Sequence, residues 1–188
     1  MILFKMIAQR LFYAVDGCVS TGKEANVYHA RSHAPPYPHL ALKVYKTSTL
    51  VFKDRDRYVN GEFRFRSGYA KSNPRKMVKV WAEKELRNLK RLQAAFVPSP
   101  APIALKLHVL VMQFLGDQAG WASPRIKDVR LSHEEANTAY MMLLKTLRRL
   151  YQVCRLVHAD FSEYNIMYGA PIFFFCFFCR FALQHAGS

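Results

Sequence analysis

The sequence is poor in cysteine and has no apolar run long enough to cross a bilayer. Its four cysteines, Cys18, Cys154, Cys176 and Cys179, are too few and too unevenly spaced for a disulfide framework. The apolar stretch at residues 171–179 is far shorter than the roughly 20 residues that a transmembrane helix needs. No charged and then apolar leader opens the chain. These absences predict an intracellular protein without a membrane partner.

Acidic residues are also scarce. The chain carries 13 of them against 28 Lys and Arg, which gives a formal net charge of +15. Such a balance favours an anionic partner such as a nucleotide, RNA or an acidic surface, although a solvated basic surface would account for it equally well. With 188 residues, of which 51% are hydrophobic, the chain can bury one core, so we expect one domain or one domain plus a fragment.

Turn residues and short apolar runs predict a β-rich first half. Residues 1–13 predict a helix with a basic side, and the turn-rich run 17–30 leads into a β-type stretch at residues 27–29. Residues 40–45 form a second predicted strand, so the two read as a hairpin. Residues 47–72, dense in charge and aromatics, are predicted to be a mostly exposed insertion.

Helical signals follow the insertion. Asn73 and Pro74 predict a capped helix that runs to about residue 92, and residues 108–115 are a continuous apolar run with the length of a buried strand. Residues 116–130 are predicted to be loop. Ser132 and Glu135 have capping-box spacing ahead of a long amphipathic helix that ends near residue 154.

The run from Gly17 to Glu24 (GCVSTGKE) nearly matches a phosphate-binding P-loop, but Glu24 stands where that motif needs Ser or Thr. Aligned instead on Val27, residues Ser20, Gly22 and Ala25 occupy the three glycine positions of a protein-kinase glycine-rich loop. Small residues in a hairpin turn allow backbone amides to approach phosphate. An ordinary hairpin turn remains the alternative.

Two further patterns carry chemistry. Lys43 lies within an apolar strand (ALKV) where an unpaired ammonium is costly, and Glu85 lies on the apolar face of the next helix, so an ion pair between them is predicted. The alternative is that each side chain reaches water separately. His158, Asp160 and Asn165 match a kinase catalytic loop, in which Asp accepts the substrate hydroxyl proton and Asn binds a metal ion.

Several of these motifs, in this order, resemble the RIO kinases, and most closely the first-named subfamily. The likeness runs from about residue 1 to residue 168 and includes STGKEA, KDRDRYVNGEFRFR, NPRKMV, WAEKE and HADFSEYN. The resemblance implies an α+β, protein-kinase-like two-lobed fold with a complete N-lobe and an incomplete C-lobe. Residues 1–115 would form the N-lobe and hinge, residues 116–169 the start of the C-lobe, and residues 170–188 a divergent hydrophobic tail.

The resemblance also implies ATP and Mg²⁺ as cofactors, serine/threonine phosphorylation or ATP hydrolysis, and cytoplasmic work on small-ribosomal-subunit precursors. By position it makes Asp160, Lys43 and Glu85 catalytic and Asn165 a metal ligand, with Met112 to Leu115 as the adenine-facing hinge. The residues it assigns to ATP are Ser20, Thr21, Gly22, Lys23, Ala25, Val27, Lys43, Met112, Gln113 and Leu115.

The chain departs from the family after Asn165, where a strand and a metal-binding aspartate are expected. No Asp follows Asp160 and no Glu follows Glu163. Magnesium bound to phosphates usually needs a protein carboxylate, so phosphoryl transfer is expected to be weak or absent unless Asp160 or Glu163 substitutes. A rival hypothesis is a catalytically impaired binding module in which residues 53–79 hold preribosomal RNA or an acidic protein.

Overall fold

The computed structural model describes residues 2–47, 74–169, 172–175 and 181–183. Nearly all of the predicted insertion, the Asn73 cap, Cys176 and Cys179 lie outside these ranges. The chain divides into a first unit, Met1–Arg87 with Ala101–Ala122, and a second unit, Asn88–Pro100 with Ser123–Ser188. The domain boundaries proposed from the sequence stay a prediction.

An antiparallel sheet of five strands, in the order β1-β2-β3-β5-β4, forms the first unit. Its strands are β1 (Ala14–Thr21), β2 (Ala25–Arg31), β3 (His39–Tyr45), β4 (Pro102–Lys106) and β5 (Val109–Gln113). The predicted hairpin is confirmed by the pairing of β2 with β3, from Ala25 opposite Tyr45 to Arg31 opposite His39. The sequence did not predict β1, whose exposed residues hide the alternation that marks a half-buried strand.

A buried apolar cluster fills one face of this sheet. Strand residues of β2, β3 and β5 meet helix α1 (Ile2–Ala8) there, and the buried members are Met6, Phe12, Ala30, Leu40, Leu42, Val109 and Val111. The predicted first helix is therefore present but shorter than residues 1–13. It ends because Arg10 adopts φ 57° and the Leu11 N–H closes back on the Met6 carbonyl.

Helix α2 (Pro74–Ala94) confirms the helix predicted over residues 73–92. Proline at its first position lacks only an N–H that would have no partner within the helix. Met77, Val78 and Ala82 are buried along its first half. This spacing places Glu85, one turn after Ala82, on the same packed side.

A series of polar contacts, which runs from a carboxylate through two histidine rings to a backbone carbonyl, connects three strands to the loop after β5. Asp16 Oδ2 lies 2.9 Å from His29 Nδ1, His29 Nε2 lies 2.9 Å from His39 Nδ1, and His39 Nε2 lies 3.1 Å from the Gln118 carbonyl. Gly120 has φ +90°, and a Cβ there would come within 3.1 Å of the His29 ring. The loop therefore needs glycine at this point in order to pass so close.

Helix α3 (His133–Gln152) dominates the second unit and confirms the long helix predicted from the capping box. Ser132 accepts the Glu135 N–H through its hydroxyl, while Glu135 accepts the Ser132 N–H through its carboxylate. A short 3-10 helix, Ile126–Asp128, lies within the segment predicted to be loop. Ala139 and Ile166 centre a small apolar cluster in this unit.

Four short strands complete the second unit. β6 (Leu156–His158) pairs with β9 (Phe181–Leu183), and β7 (Ile166–Gly169) pairs with β8 (Ile172–Phe175). Part of the segment predicted to be a divergent tail thus contributes strands. No described helix is long and apolar enough to cross a membrane.

Candidate active site

The turn predicted to hold phosphate joins β1 to β2. Thr21 pairs with Asn26, and the turn is closed by a hydrogen bond of 2.9 Å from the Gly22 N–H to the Ala25 carbonyl. Ser20 and Thr21 end one strand, and Ala25 begins the next. The chain continues from Ala25 into a strand, whereas a P-loop must continue into a helix. The turn is therefore a β-hairpin turn and not a P-loop, and its role as a kinase glycine-rich loop stays a prediction beside an ordinary hairpin turn.

Two hydrogen bonds from Lys46 link this turn to the end of β3. Its ammonium donates to the Gly22 carbonyl at 2.7 Å, and its backbone N–H donates to the Glu24 carbonyl at 2.8 Å. No sequence pattern predicted this role for Lys46. The sequence feature that could have indicated Lys46 is its position directly after the strand that carries Lys43. When the hairpin closes, this position lies opposite the turn.

Four of the predicted ATP-binding residues share one face of the sheet. Directly opposed residues in an antiparallel pair point the same way, and Val27 pairs with Lys43 while Ala41 pairs with Met112. Ala25, two residues before Val27, lies on that face as well. This face is opposite the apolar cluster that packs against α1.

Lys43 and Glu85 form the predicted ion pair. The Lys43 ammonium lies 2.7 Å from Glu85 Oε1 and 2.6 Å from Oε2, and the side chains are 4% and 12% exposed. The prediction of this pair is confirmed, and the alternative in which each side chain reaches water separately is wrong. Two charges so little exposed to water are tolerated because each compensates the other.

Tyr45 completes this site, and no sequence pattern predicted its part in it. Its hydroxyl donates to Glu85 Oε2, and its ring lies under the Lys43 ammonium, 5.2 Å from ring centroid to Nζ. Burial first, and then the charge of Glu85, raise the pKa of Tyr45 well above its ordinary value of 10.0. Its signal in the sequence was the spacing of two from Lys43, which places both side chains on one face of a strand.

The predicted hinge lies at the end of β5. Met112 is buried, and Gln113 pairs with Leu40, so its side chain falls on the face opposite Lys43. The Gln113 N–H donates to the Ala101 carbonyl at 2.8 Å. That N–H is therefore not available to adenine, and the assignment of Met112, Gln113 and Leu115 to ATP stays a prediction.

Asp160 and Asn165 lie together in the second unit. The Asn165 amide nitrogen donates to the Asp160 carbonyl at 2.9 Å, to Asp160 Oδ2 at 3.0 Å and to Ser162 Oγ at 3.3 Å. Asn165 is buried and Asp160 is exposed. The loop thus folds back as the spacing predicts, with a buried amide that orients an exposed carboxylate.

His158 is buried two residues before Asp160 and meets the Phe161 ring edge to face, with ring centroids 5.4 Å apart. Desolvation lowers the pKa of His158 from its ordinary 6.5, and the charge of Asp160 opposes this shift. At neutral pH the ring therefore stays uncharged. This suits a role in supporting the loop rather than in carrying charge.

The loop offers oxygen ligands suited to magnesium. The Asp160 carboxylate adjoins the Asn165 side chain, whose amide nitrogen is already engaged, so its Oδ1 is the atom that could ligate a cation. Within the described ranges no group of three or more His, Cys, Asp or Glu could hold a metal ion. Magnesium is often bound through one or two carboxylates together with phosphates and water. These residues fit that minimal set.

Comparison with known proteins agrees with this geometry. Residues 26–175 match the family model described as the RIO domain. The chain is 59% identical over 168 residues to the serine/threonine-protein kinase rio1 of Schizosaccharomyces pombe, covering 89% of this chain and 33% of that protein. It is 56% identical over 168 residues to human serine/threonine-protein kinase RIO1, with 89% and 29% covered. The chain spans about a third of the length of these relatives.

Among solved structures, the chain is similar to the Rio2 kinase of Chaetomium thermophilum in a complex with ADP, Mg²⁺ and phosphoaspartate. The TM-score is 0.64 at 24% identity, with 88% of this chain and 44% of that chain covered. A second structure of the same kinase gives 0.61 at 22% identity, with 88% and 45% covered. At such identity the likeness shows the fold, and the predicted α+β, kinase-like fold is confirmed.

Proposed function

Because the chain belongs to the RIO-domain family, we propose that it binds ATP with Mg²⁺ and carries the core groups of an atypical serine/threonine protein kinase or ATPase. The observation that carries the proposal is the buried Lys43–Glu85 pair, with both nitrogen–oxygen distances at 2.6–2.7 Å. A Lys and a Glu are seldom buried unless paired, and a catalytic lysine of this kind serves to contact phosphate.

Each residue has a stated task in this proposal. Backbone amides of the turn from Ser20 to Ala25 approach the phosphates, and Lys43 contacts them while Glu85 holds its ammonium in place. Asp160 accepts the proton of the attacking hydroxyl, and Asn165 orients it. Bound magnesium would supply charge neutralisation at the phosphates. The relative solved with ADP and Mg²⁺ supports the choice of cofactors.

Residues 164–188 hold no Asp or Glu, so the proposed magnesium ligands among the given residues are Asp160 and Asn165. The protein substrate is a serine or threonine side chain by family. We further propose that the chain acts in the cytoplasm on small-ribosomal-subunit precursors, as the resemblance implies.

Thermal unfolding of the 188-residue chain tests nucleotide binding, because a ligand selective for the folded state raises the midpoint. We expect ATP with magnesium to raise it, and Asp160→Ala to retain that rise while losing turnover. Glu134→Gln, another exposed carboxylate of the second unit, is the matched control and should keep both. Equal turnover in wild type and Asp160→Ala would remove the assigned role. No ATP-dependent rise would remove the proposed function.

A second candidate function is a non-catalytic module that binds RNA. The net charge of +15 favours it, and residues 53–79 are rich in Lys, Arg and aromatics. Binding to RNA should weaken steeply as salt rises, since phosphate contacts release counterions. Replacing Arg64 and Arg66 with alanine should lower the salt slope, with Arg148→Ala as the control. Binding that is undetectable or independent of salt would exclude this candidate.

A further inference from the structure

The β3 strand carries a third member of the buried charged site. Tyr45 follows Lys43 by two residues, so alternation places both side chains on the face of the sheet that meets Glu85. The Tyr45 hydroxyl donates to Glu85 Oε2, and its ring lies 5.2 Å from the Lys43 ammonium. We infer that Tyr45 is a positioning residue, which orients the Glu85 carboxylate so that Lys43 is aimed at phosphate. This inference rests on the proposed function.

The ion pair alone does not fix the carboxylate. An ammonium is a compact charge on a flexible stem with three rotatable donors, so it accepts many carboxylate orientations. A phenol hydroxyl on a rigid ring can donate to a carboxylate in far fewer orientations. Tyr45 is 4% exposed within the sheet, and its ring cannot move without disturbing the packing around it. Its hydrogen bond to Oε2 therefore gives the Glu85 carboxylate a fixed direction.

This arrangement matters most when phosphate competes for Lys43. Both Glu85 oxygens contact the ammonium. If a phosphate oxygen accepts a hydrogen bond from one of the three N–H groups of the ammonium, the contact between Lys43 and Glu85 becomes weaker. The Tyr45 hydroxyl still binds Oε2, so the carboxylate remains where Lys43 can return to it. The Lys43–Glu85 pair therefore keeps its geometry while the ammonium also donates a hydrogen bond to phosphate.

Tyr45 can act only as a donor here. Burial and the neighbouring Glu85 charge raise its pKa well above 10.0, and Glu24 adds to the shift, so the phenol keeps its proton throughout the neutral and mildly alkaline range. A carboxylate accepts and cannot donate when ionised. Donor and acceptor are thus fixed, and the orientation does not change with pH in that range.

The test compares Tyr45→Phe, which retains the ring and removes only the hydroxyl, with Tyr28→Phe. Tyr28 is a half-buried tyrosine on the opposite face of the same sheet, and it packs against the α1 cluster. Affinities for ATP with magnesium and for adenosine, which has no phosphate, are measured by calorimetry. We expect Tyr45→Phe to weaken ATP binding about tenfold and to leave adenosine binding unchanged. Tyr28→Phe should change neither affinity.

Two results would overturn the inference. One is an equal loss of ATP and adenosine affinity in Tyr45→Phe, which would indicate a general disturbance of the site. The other is unchanged ATP affinity in a variant that still folds. Failure of the wild-type chain to bind ATP at all is a different outcome, since it removes the proposed function itself.

A second measurement decides the role of Tyr45 even if ATP does not bind. Tyr45→Phe and Glu85→Gln are combined in a double-mutant cycle, and the free energy of unfolding is measured for all four proteins. A positioning contact requires that the two changes be non-additive. Additive effects would show that Tyr45 does not act through Glu85 and would refute the inference.

Discussion

The charged site of the first unit and the catalytic-loop motif of the second hold their reactive groups in opposite ways. Lys43 is buried and Glu85 is largely buried, and each compensates the charge of the other. Asp160 is exposed, and the buried member of its pair is the neutral Asn165. In the first unit, the proposed phosphate contact and the stability of the fold therefore depend on the same atoms. In the second, the carboxylate proposed as the base can be altered while the amide that shapes the loop stays in place.

The largest effect is expected from breaking the buried pair. Glu85→Ala leaves the Lys43 ammonium without its carboxylate, which typically costs about 3–5 kcal/mol of unfolding free energy. Urea unfolding measures it. The double variant Lys43→Met with Glu85→Leu should recover much of the loss, since apolar replacement of a whole buried pair is often tolerated. A loss below about 1 kcal/mol in Glu85→Ala would contradict the burial of the pair.

A smaller effect is expected at Asn165. Asn165→Ala removes the amide nitrogen that donates to Asp160 and Ser162, which should cost about 1–2 kcal/mol. Asn165→Asp has nearly the same size but presents a second carboxylate to Asp160, so we expect it to be at least as destabilising as alanine. If Asn165→Asp has wild-type stability, the amide does not orient Asp160 as described.

Loss of the α3 cap should be smaller still and should leave the catalytic loop intact. Ser132→Ala removes the hydroxyl that accepts the Glu135 N–H, at a cost of about 1 kcal/mol. Hydrogen bonds from Ser132 lower the pKa of Glu135, so the capping contribution is lost as pH falls through that lowered pKa. Ser123→Ala, which removes a half-buried hydroxyl of the second unit outside the helix, is the matched control. An unchanged midpoint in Ser132→Ala would argue against the capping box.

The smallest expected effect is a pH slope from His158. Because burial lowers its folded pKa below the ordinary 6.5, the unfolded chain binds more protons between the two values. Unfolding free energy should therefore fall as pH drops below about 6.5, until the folded ring also titrates. His158→Gln should lack this component, whereas Asp160→Asn should enlarge it because the opposing charge is removed. Equal slopes in wild type and His158→Gln would contradict the prediction.

The sequence predicted the parts of the site that are local in the chain. A short apolar run placed Lys43 on a strand, helical spacing placed Glu85 on a packed face, and the spacing of Asp160 and Asn165 predicted a loop that folds back. Each of these depends on one element and its period. The ion pair followed because two buried opposite charges need each other.

What the sequence did not predict depends on the pairing of elements. The Tyr45 contact needs the position of α2 over β3, and Lys46 needs the closed hairpin. The series of polar contacts from Asp16 through His29 and His39 needs the register of three strands. Periodicity gives no register, so these contacts could not be read from it. The roles of the ATP-binding residues likewise stay predictions.

The side chains of β3 also disfavour a wrong register of this strand in the sheet. Leu40, Leu42 and Val44 pack on one face, and Lys43 and Tyr45 meet Glu85 on the other. A slip by a single residue would exchange the faces, so that an ammonium and a phenol entered the apolar cluster while aliphatic groups met a buried carboxylate. Pairing errors at the centre of the sheet are thus penalised on both sides at once. Lys43, proposed to contact phosphate, and Tyr45, proposed to position Glu85, therefore also help to fix the register of the strand that carries them.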